Sequence, residues 1–178
     1  MSTTDLQFTR YTSITPKRLS KRFTRVGGAL IKEGGGNMAD GIAERLAVAS
    51  LAEFAALLPT LKPNQAISYG INGHARARVV AQEHLTAIAA QTTEPVIART
   101  REHFAWPTGT GILMLDHDAL ADAPPFDRTA LVDALVAACP AIADAPAVWR
   151  PSASSCIHDA KTGAELRGFG GQRLYIPV

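Results

Sequence analysis

An apolar run closes on two aspartates in Gly111-Ile112-Leu113-Met114-Leu115-Asp116-His117-Asp118, and no other segment of the chain has residue types and spacing so suited to chemistry. Such a run reads as a buried strand. Side chains alternate along a strand, so Asp116 and Asp118 are predicted to share one face at its end while His117 points the other way. Two neighbouring carboxylates repel unless a cation sits between them. Hard divalent ions such as Mg2+ or Mn2+ take oxygen ligands, and in two-metal sites they hold the attacking and leaving oxygens of a phosphoryl transfer in line. The plain alternative is a strand end whose aspartates only begin a loop. Downstream, Trp149-Arg150-Pro151-Ser152-Ala153-Ser154-Ser155 and Gly170-Gly171-Gln172-Arg173-Leu174-Tyr175-Ile176 offer small hydroxyl residues, paired glycines and a guanidinium. Glycines let backbone amides approach phosphate, and arginine makes charge-assisted bonds to it. Ser154, Ser155, Gly171 and Arg173 are therefore the candidate nucleotide-binding residues. A serine-rich turn into a hairpin over Ile157–Leu166, with Lys161–Gly163 at its tip and His158 exposed, is the competing reading.

The elements that must position these groups can be read from periodicity and punctuation. Residues Met1–Thr15 show none and read as an arm of uncertain order. Phe23, Val26, Leu30 and Ile31 around Gly27–Gly28 predict a short strand pair, followed by a mobile loop at Gly34–Gly36 and Asn37. Ser50 and Glu53 form a capping-box pattern for a helix through Leu58 that ends at Pro59. A strand over Ala66–Ile71, a turn at Asn72–Gly73, a helix over Arg76–Ala90 and a strand over Pro95–Ala98 follow. From Gly111 the predicted order is strand Gly111–Asp116, a loop with Pro124–Pro125, a helix Asp127–Cys139 capped by Asp127 and ended by Pro140, strand Ala147–Ser152, the hairpin excursion, and strand Leu174–Val178. This β-α-β-β order lacks the last helix and strand of a ferredoxin-like module, which predicts an unpaired edge at the final strand.

Composition bounds the rest. At 178 residues and 47% hydrophobic content, the chain is long enough for one domain with a real core, and its many alanines predict plentiful helix. We expect an N-terminal α/β half over residues 1–110 and a module over 111–178. Neither an apolar run of spanning length nor a leader-like N-terminus occurs, and the expectation is a cytoplasmic protein without a membrane partner. The cysteines, Cys139 and Cys156, stand alone, which argues against a zinc or disulfide framework. Net charge is only +2, yet Lys17, Arg18, Lys21, Arg22, Arg25 and Lys32 follow one another without an intervening acid. Such a strip suits phosphate contact, because each neutralised phosphate releases counterions, and equally suits a solvated basic face. Gly34–Gly36 lacks the order of a Walker phosphate loop.

Taken together, Arg99-Thr100-Arg101-Glu102-His103-Phe104, Leu113-Met114-Leu115-Asp116-His117-Asp118, Arg150-Pro151-Ser152-Ala153-Ser154-Ser155 and Gly170-Gly171-Gln172-Arg173-Leu174-Tyr175-Ile176 resemble the plasmid and prophage branch of the archaeo-eukaryotic primase superfamily. The likeness covers about the last 80 residues, and the first half only weakly. It implies an α+β fold with an RNA-recognition-like palm, Asp116 and Asp118 as catalytic and metal-binding residues, and Mg2+ or Mn2+ as cofactor. It further implies nucleoside triphosphates and a single-stranded DNA template as partners, with a helicase or other replication domain in cis or trans. Arg173 stands where the family's second motif places a histidine; arginine binds phosphate but titrates too high to shuttle protons. The family's third carboxylate has no counterpart before Val178, so the palm is expected to be truncated. The implied reaction is transfer of a nucleoside monophosphate to a 3′-hydroxyl in DNA replication. A non-catalytic nucleic-acid-binding module, using Lys17, Arg18, Lys21, Arg22 and Arg25, is the alternative. A haloacid-dehalogenase-like phosphatase shares the D-x-D, but Ala119-Leu120 and the missing downstream lysine and acidic pair depart from it.

Overall fold

The computed structural model describes residues 5–118 and 126–178. The chain divides into two compact units, Met1–Ile112 with Val178, and Leu113–Pro177. The fold is mixed α/β and made mostly of strands, so the alanine content does not translate into helix.

In the first unit, β1 (Leu6–Thr15), β4 (Asp40–Val48), β5 (Gln65–Ser68), β6 (Arg76–Val80) and β7 (Val96–Ala98) form one sheet in the order β5-β1-β4-β6-β7. All neighbours are antiparallel except β6 and β7. The supposed N-terminal arm is thus an interior strand. Its polar side chains hid it: Thr9 and Ser13 are buried, and alternation sends Leu6 and Phe8 to one face and Tyr11 to the other. On the first face Phe8 meets Phe54 of α1 (Leu51–Leu57) edge-to-face at 5.3 Å. On the second, Tyr11, Ala43 and Ala77 lie in one cross-strand row and Val79 and Ile97 in the next, with Met38, Leu19 and Phe104 closing the cluster. The alanines act as small partners that let Tyr11 fit, which accounts for their number without helix. Burial pushes the Tyr11 phenol above its ordinary range, and it donates to Ser68 Oγ.

The predicted helix over Arg76–Ala90 is also corrected. Arg76 and Arg78 alternate with Ala77 and Val79, a period of two; the arginines pair with Glu44 and Asp40 on the polar side of the sheet. Helix is confined to the end of that span, a 3-10 turn at Gln82–His84 leading into α2 (Leu85–Ala89). The capping box forms, with Ser50 Oγ accepting from Glu53 N and Glu53 accepting from Ala49 N.

The expected strand pair is the ribbon β2 (Arg22–Val26) and β3 (Ala29–Glu33), turning at Gly27 and Gly28, whose φ of 56° and 87° suit glycine. Gly34–Gly36 is not a free loop. A β-carbon on Gly35 would run into the Leu19 carbonyl, and Gly36 N donates to Arg18 O, so these glycines permit close backbone contact.

In the second unit, β8 (Ile112–His117), α3 (Arg128–Ala138), β9 (Val148–Pro151), the hairpin β10 (Ile157–His158) and β11 (Glu165–Arg167), and β12 (Gln172–Pro177) follow in order. The sheet order is β8-β12-β9, so the final strand is central and the unpaired edge expected there is corrected. A hairpin-like return placed β12 between two strands that are distant in sequence. Asp127 caps α3 by accepting from Ala130 N, whereas the loop with Pro124–Pro125 lies outside the described residues. No helix among the described residues is long and apolar enough to cross a membrane.

Phe54 is fully buried, so Phe54→Ala should lower unfolding free energy by about 3–5 kcal/mol. Ser50→Ala, which removes only the cap, should lower it by about 1 kcal/mol. Urea titration of both variants ranks the two effects, and equal losses would contradict this account of the α1 contact.

Candidate nucleotide and metal site

Gly111 and Val178 exchange both N–H···O=C bonds, at 2.7 and 3.1 Å, and Asp116 stands opposite Arg173 in the same antiparallel register. By alternation the Asp116–Arg173 pair is non-hydrogen-bonded, the kind in which side chains come closest. On the far side of β12, Arg173 is the partner of Arg150. One face of the sheet therefore carries Asp116, Arg173 and Arg150 in a row. The next row, at the strand ends, is Asp118, Gly171 and Ser152, with Ser152 N donating to Gly171 O.

Both aspartates share a face as the alternation predicts. Asp116 does not stand open, however: Arg173 donates to it through Nε and Nη2, each at 3.1 Å. The guanidinium is held still further above its ordinary pKa, first by that hydrogen bond, with burial opposing. About a third of each side chain is exposed, 32% and 38%, and ion pairs so exposed contribute roughly 0–1 kcal/mol. The contact is cheaply exchanged. Asp118 is exposed, and its Oδ1 lies 2.6 Å from where a Gly171 β-carbon would sit, with Ser152 Oγ 2.9 Å from the same point. Carboxylate and hydroxyl converge over a residue that has no side chain.

The serines divide the work. Ser155 is buried; its hydroxyl donates to Gly171 O at 2.7 Å, accepts from Gly170 N at 3.2 Å and pairs with Ser152 Oγ at 3.2 Å. Its hydroxyl ties down the Gly170–Gly171 segment. Ser154 is half-buried, with its N–H directed at Ser152 Oγ. The opposite face is structural. Fully buried Gln172 accepts from Trp149 Nε1 at 2.6 Å and donates to Phe126 O at 2.8 Å, while His117 stacks on the Phe126 ring. His158 is exposed in its hairpin, bonded to Cys156 O.

The donor set of Asp116, Asp118 and Ser152 is all oxygen, the kind a hard divalent ion takes, with Asp116 engaged by Arg173. Among the described residues no group of three or more His, Cys, Asp or Glu side chains is placed to hold a metal. Lys17, Arg18, Lys21, Arg22 and Arg25 belong to the first unit; Arg18 pairs with Glu33 at 3.3 Å, and Arg22 and Arg25 are exposed on the ribbon. Sequence reasoning missed Arg150 and Ser152 as site residues, since only strand register places them beside Arg173 and Gly171.

Gly171→Ala should cost about 1–3 kcal/mol because its methyl would meet Asp118 and Ser152, whereas Gly170→Ala, facing only Ser155 Oγ at 3.7 Å, should cost less. Chemical denaturation decides, and a reversed order would refute the assigned approach. Comparison of the chain with protein-family models, with curated proteins and with solved structures gives no match.

Proposed function

We propose that this chain binds a nucleoside triphosphate with Mg2+ or Mn2+ and transfers its nucleoside monophosphate to a 3′-hydroxyl, as plasmid and prophage primase-polymerases do. The observation that carries the reading is the single sheet face that holds Asp116 bonded to Arg173, Asp118 and Ser152 converging over Gly171, and Arg150 opposite Arg173 in register. Carboxylates suit hard cations and guanidiniums suit phosphates, so the two halves of a metal nucleotide find complementary partners side by side. Asp116 and Asp118 would hold the metal, which supplies charge stabilisation to the phosphoryl oxygens. Arg173 and Arg150 orient the triphosphate, Ser155 keeps Gly170–Gly171 in place, and Ser154 lies beside them. In the reaction the 3′-oxygen forms a bond to the α-phosphorus, the bond to the β-phosphate bridge breaks, and pyrophosphate departs while the hydroxyl proton passes to water.

The strand arrangement supports the palm part of this reading. Strands β8 and β9 are linked through α3 with antiparallel β12 between them, the order of a split β-α-β in a ferredoxin-like or RNA-recognition-like module. The basic strip would contribute phosphate contacts to the nucleic acid, and a replication domain in cis or trans would complete the machinery. The Arg173–Asp116 bond favours a second reading, a nucleic-acid-binding module without turnover, because it occupies one carboxylate.

Calorimetric titration with Mn2+ and a nucleoside triphosphate separates the two. Metal-dependent nucleotide binding, lost in Asp116→Ala/Asp118→Ala, is the expected result. Arg173→Ala should tighten Mn2+ binding several-fold, by freeing Asp116 and removing a like charge, and weaken triphosphate binding about tenfold or more. A folded protein that binds no nucleotide, or a double variant that binds as its parent does, overturns the assignment.

A further inference from the structure

The β2–β3 ribbon stands as a separate two-stranded sheet. Its root is fastened: Leu19 N and Ser20 N donate to Pro63 O at 2.8 and 3.0 Å, Gly36 N donates to Arg18 O, and Arg18 pairs with Glu33 across the base. Its outer part offers itself to solvent. Val26 near the tip is 61% exposed and Ile31 is 45% exposed, far more than apolar side chains of a strand pair with a core of its own. Between Pro16 and Glu33 there are six cations and one acid, and that acid is bound to Arg18. Register puts Arg22 on the face with Thr24, Val26 and Ile31, and Arg25 and Lys32 on the face with Phe23 and Leu30.

We infer that this ribbon docks in the major groove of duplex DNA. A groove about 12 Å wide admits a two-stranded ribbon, and five-residue strands reach roughly 17 Å along it. Cations on both faces meet phosphate walls on both sides, while Val26 and Ile31 have thymine methyl groups as apolar partners. A single strand is the poorer fit, because it is held by stacking on exposed aromatics and the ribbon's one aromatic, Phe23, is half-buried. Duplex RNA is poorer too, its major groove being deep and narrow. The inference rests on the assignment of the basic strip to nucleic acid and names its partner, but it requires neither a metal nor Asp116 and Asp118.

Fluorescence anisotropy with the whole chain tests it, using labelled duplex DNA roughly two helical turns long, its single strand, and duplex RNA of the same sequence. Duplex DNA should bind tightest. Arg22→Ala/Arg25→Ala/Lys32→Ala should weaken it about tenfold or more and flatten the salt dependence by about two to three in log–log slope. Arg22→Lys/Arg25→Lys should retain most of the affinity, and Val26→Ser should lose affinity with the salt slope unchanged. Asp116→Ala/Asp118→Ala should bind duplex as the parent does, so failure of the nucleotide site and failure of the ribbon are read separately. Undiminished duplex affinity in the triple-alanine chain with a parental thermal midpoint overturns the inference, as does single-stranded DNA or duplex RNA bound as tightly as duplex DNA.

Discussion

Backbone register between β12 and its two neighbours decides which side chains meet in the second unit. With Asp116 opposite Arg173 and Arg173 opposite Arg150, the charged groups share one face, and Gln172, Leu174 and Ile176 share the other. A slip of one residue would invert this, burying Arg173 and exposing Gln172. What holds the register is the buried side. Gln172 has no exposure, and both ends of its amide are satisfied, by Trp149 and by the carbonyl of Phe126 at the approach to α3. A slipped strand would give up both bonds, each contributing roughly 0.5–1.5 kcal/mol.

The charged face is held less firmly than the buried one. An arginine bound to a carboxylate through two nitrogens resembles a closed site, but a pair exposed to this degree contributes about a kilocalorie at most. A divalent ion bound through carboxylate oxygens, or a triphosphate offering several anionic oxygens to the guanidinium, is a match for that. The same arginine therefore compensates the charge of Asp116 through a pair that water still reaches. Gly171 contributes by absence, since only a residue without a side chain lets Asp118 and Ser152 approach from both flanks.

In the first unit, the constraint is that β1 is interior and used on both faces. Phe8 seals α1 onto one side and Tyr11 fills the other, the latter possible because its row neighbours are alanines. The polar half of the sheet is managed by paired charges, Arg10 and Arg76 on Glu44 and Arg78 on Asp40. The ribbon is rooted on the same framework through Leu19, which packs on the core cluster while its N–H bonds to Pro63.

Local signals determined a good part of this protein. A continuous apolar run located β8 and strand alternation the shared face of Asp116 and Asp118, the Ser50–Glu53 and Asp127 caps located α1 and α3, and the two glycines located the ribbon turn; each depends on interactions within a few residues. Where the signal was local but mixed, it failed. Thr9 and Ser13 made an interior strand look like an arm, and Val79 and Val80 lent a strand the spacing of a helix. Strand order and register belong to the tertiary structure, because they depend on partners tens of residues away. Asp116 meets Arg173, Arg150 falls into their row, and the last strand lies at the centre of its sheet because hydrogen-bond ladders and the buried Gln172 select one alignment among several that the local pattern allows.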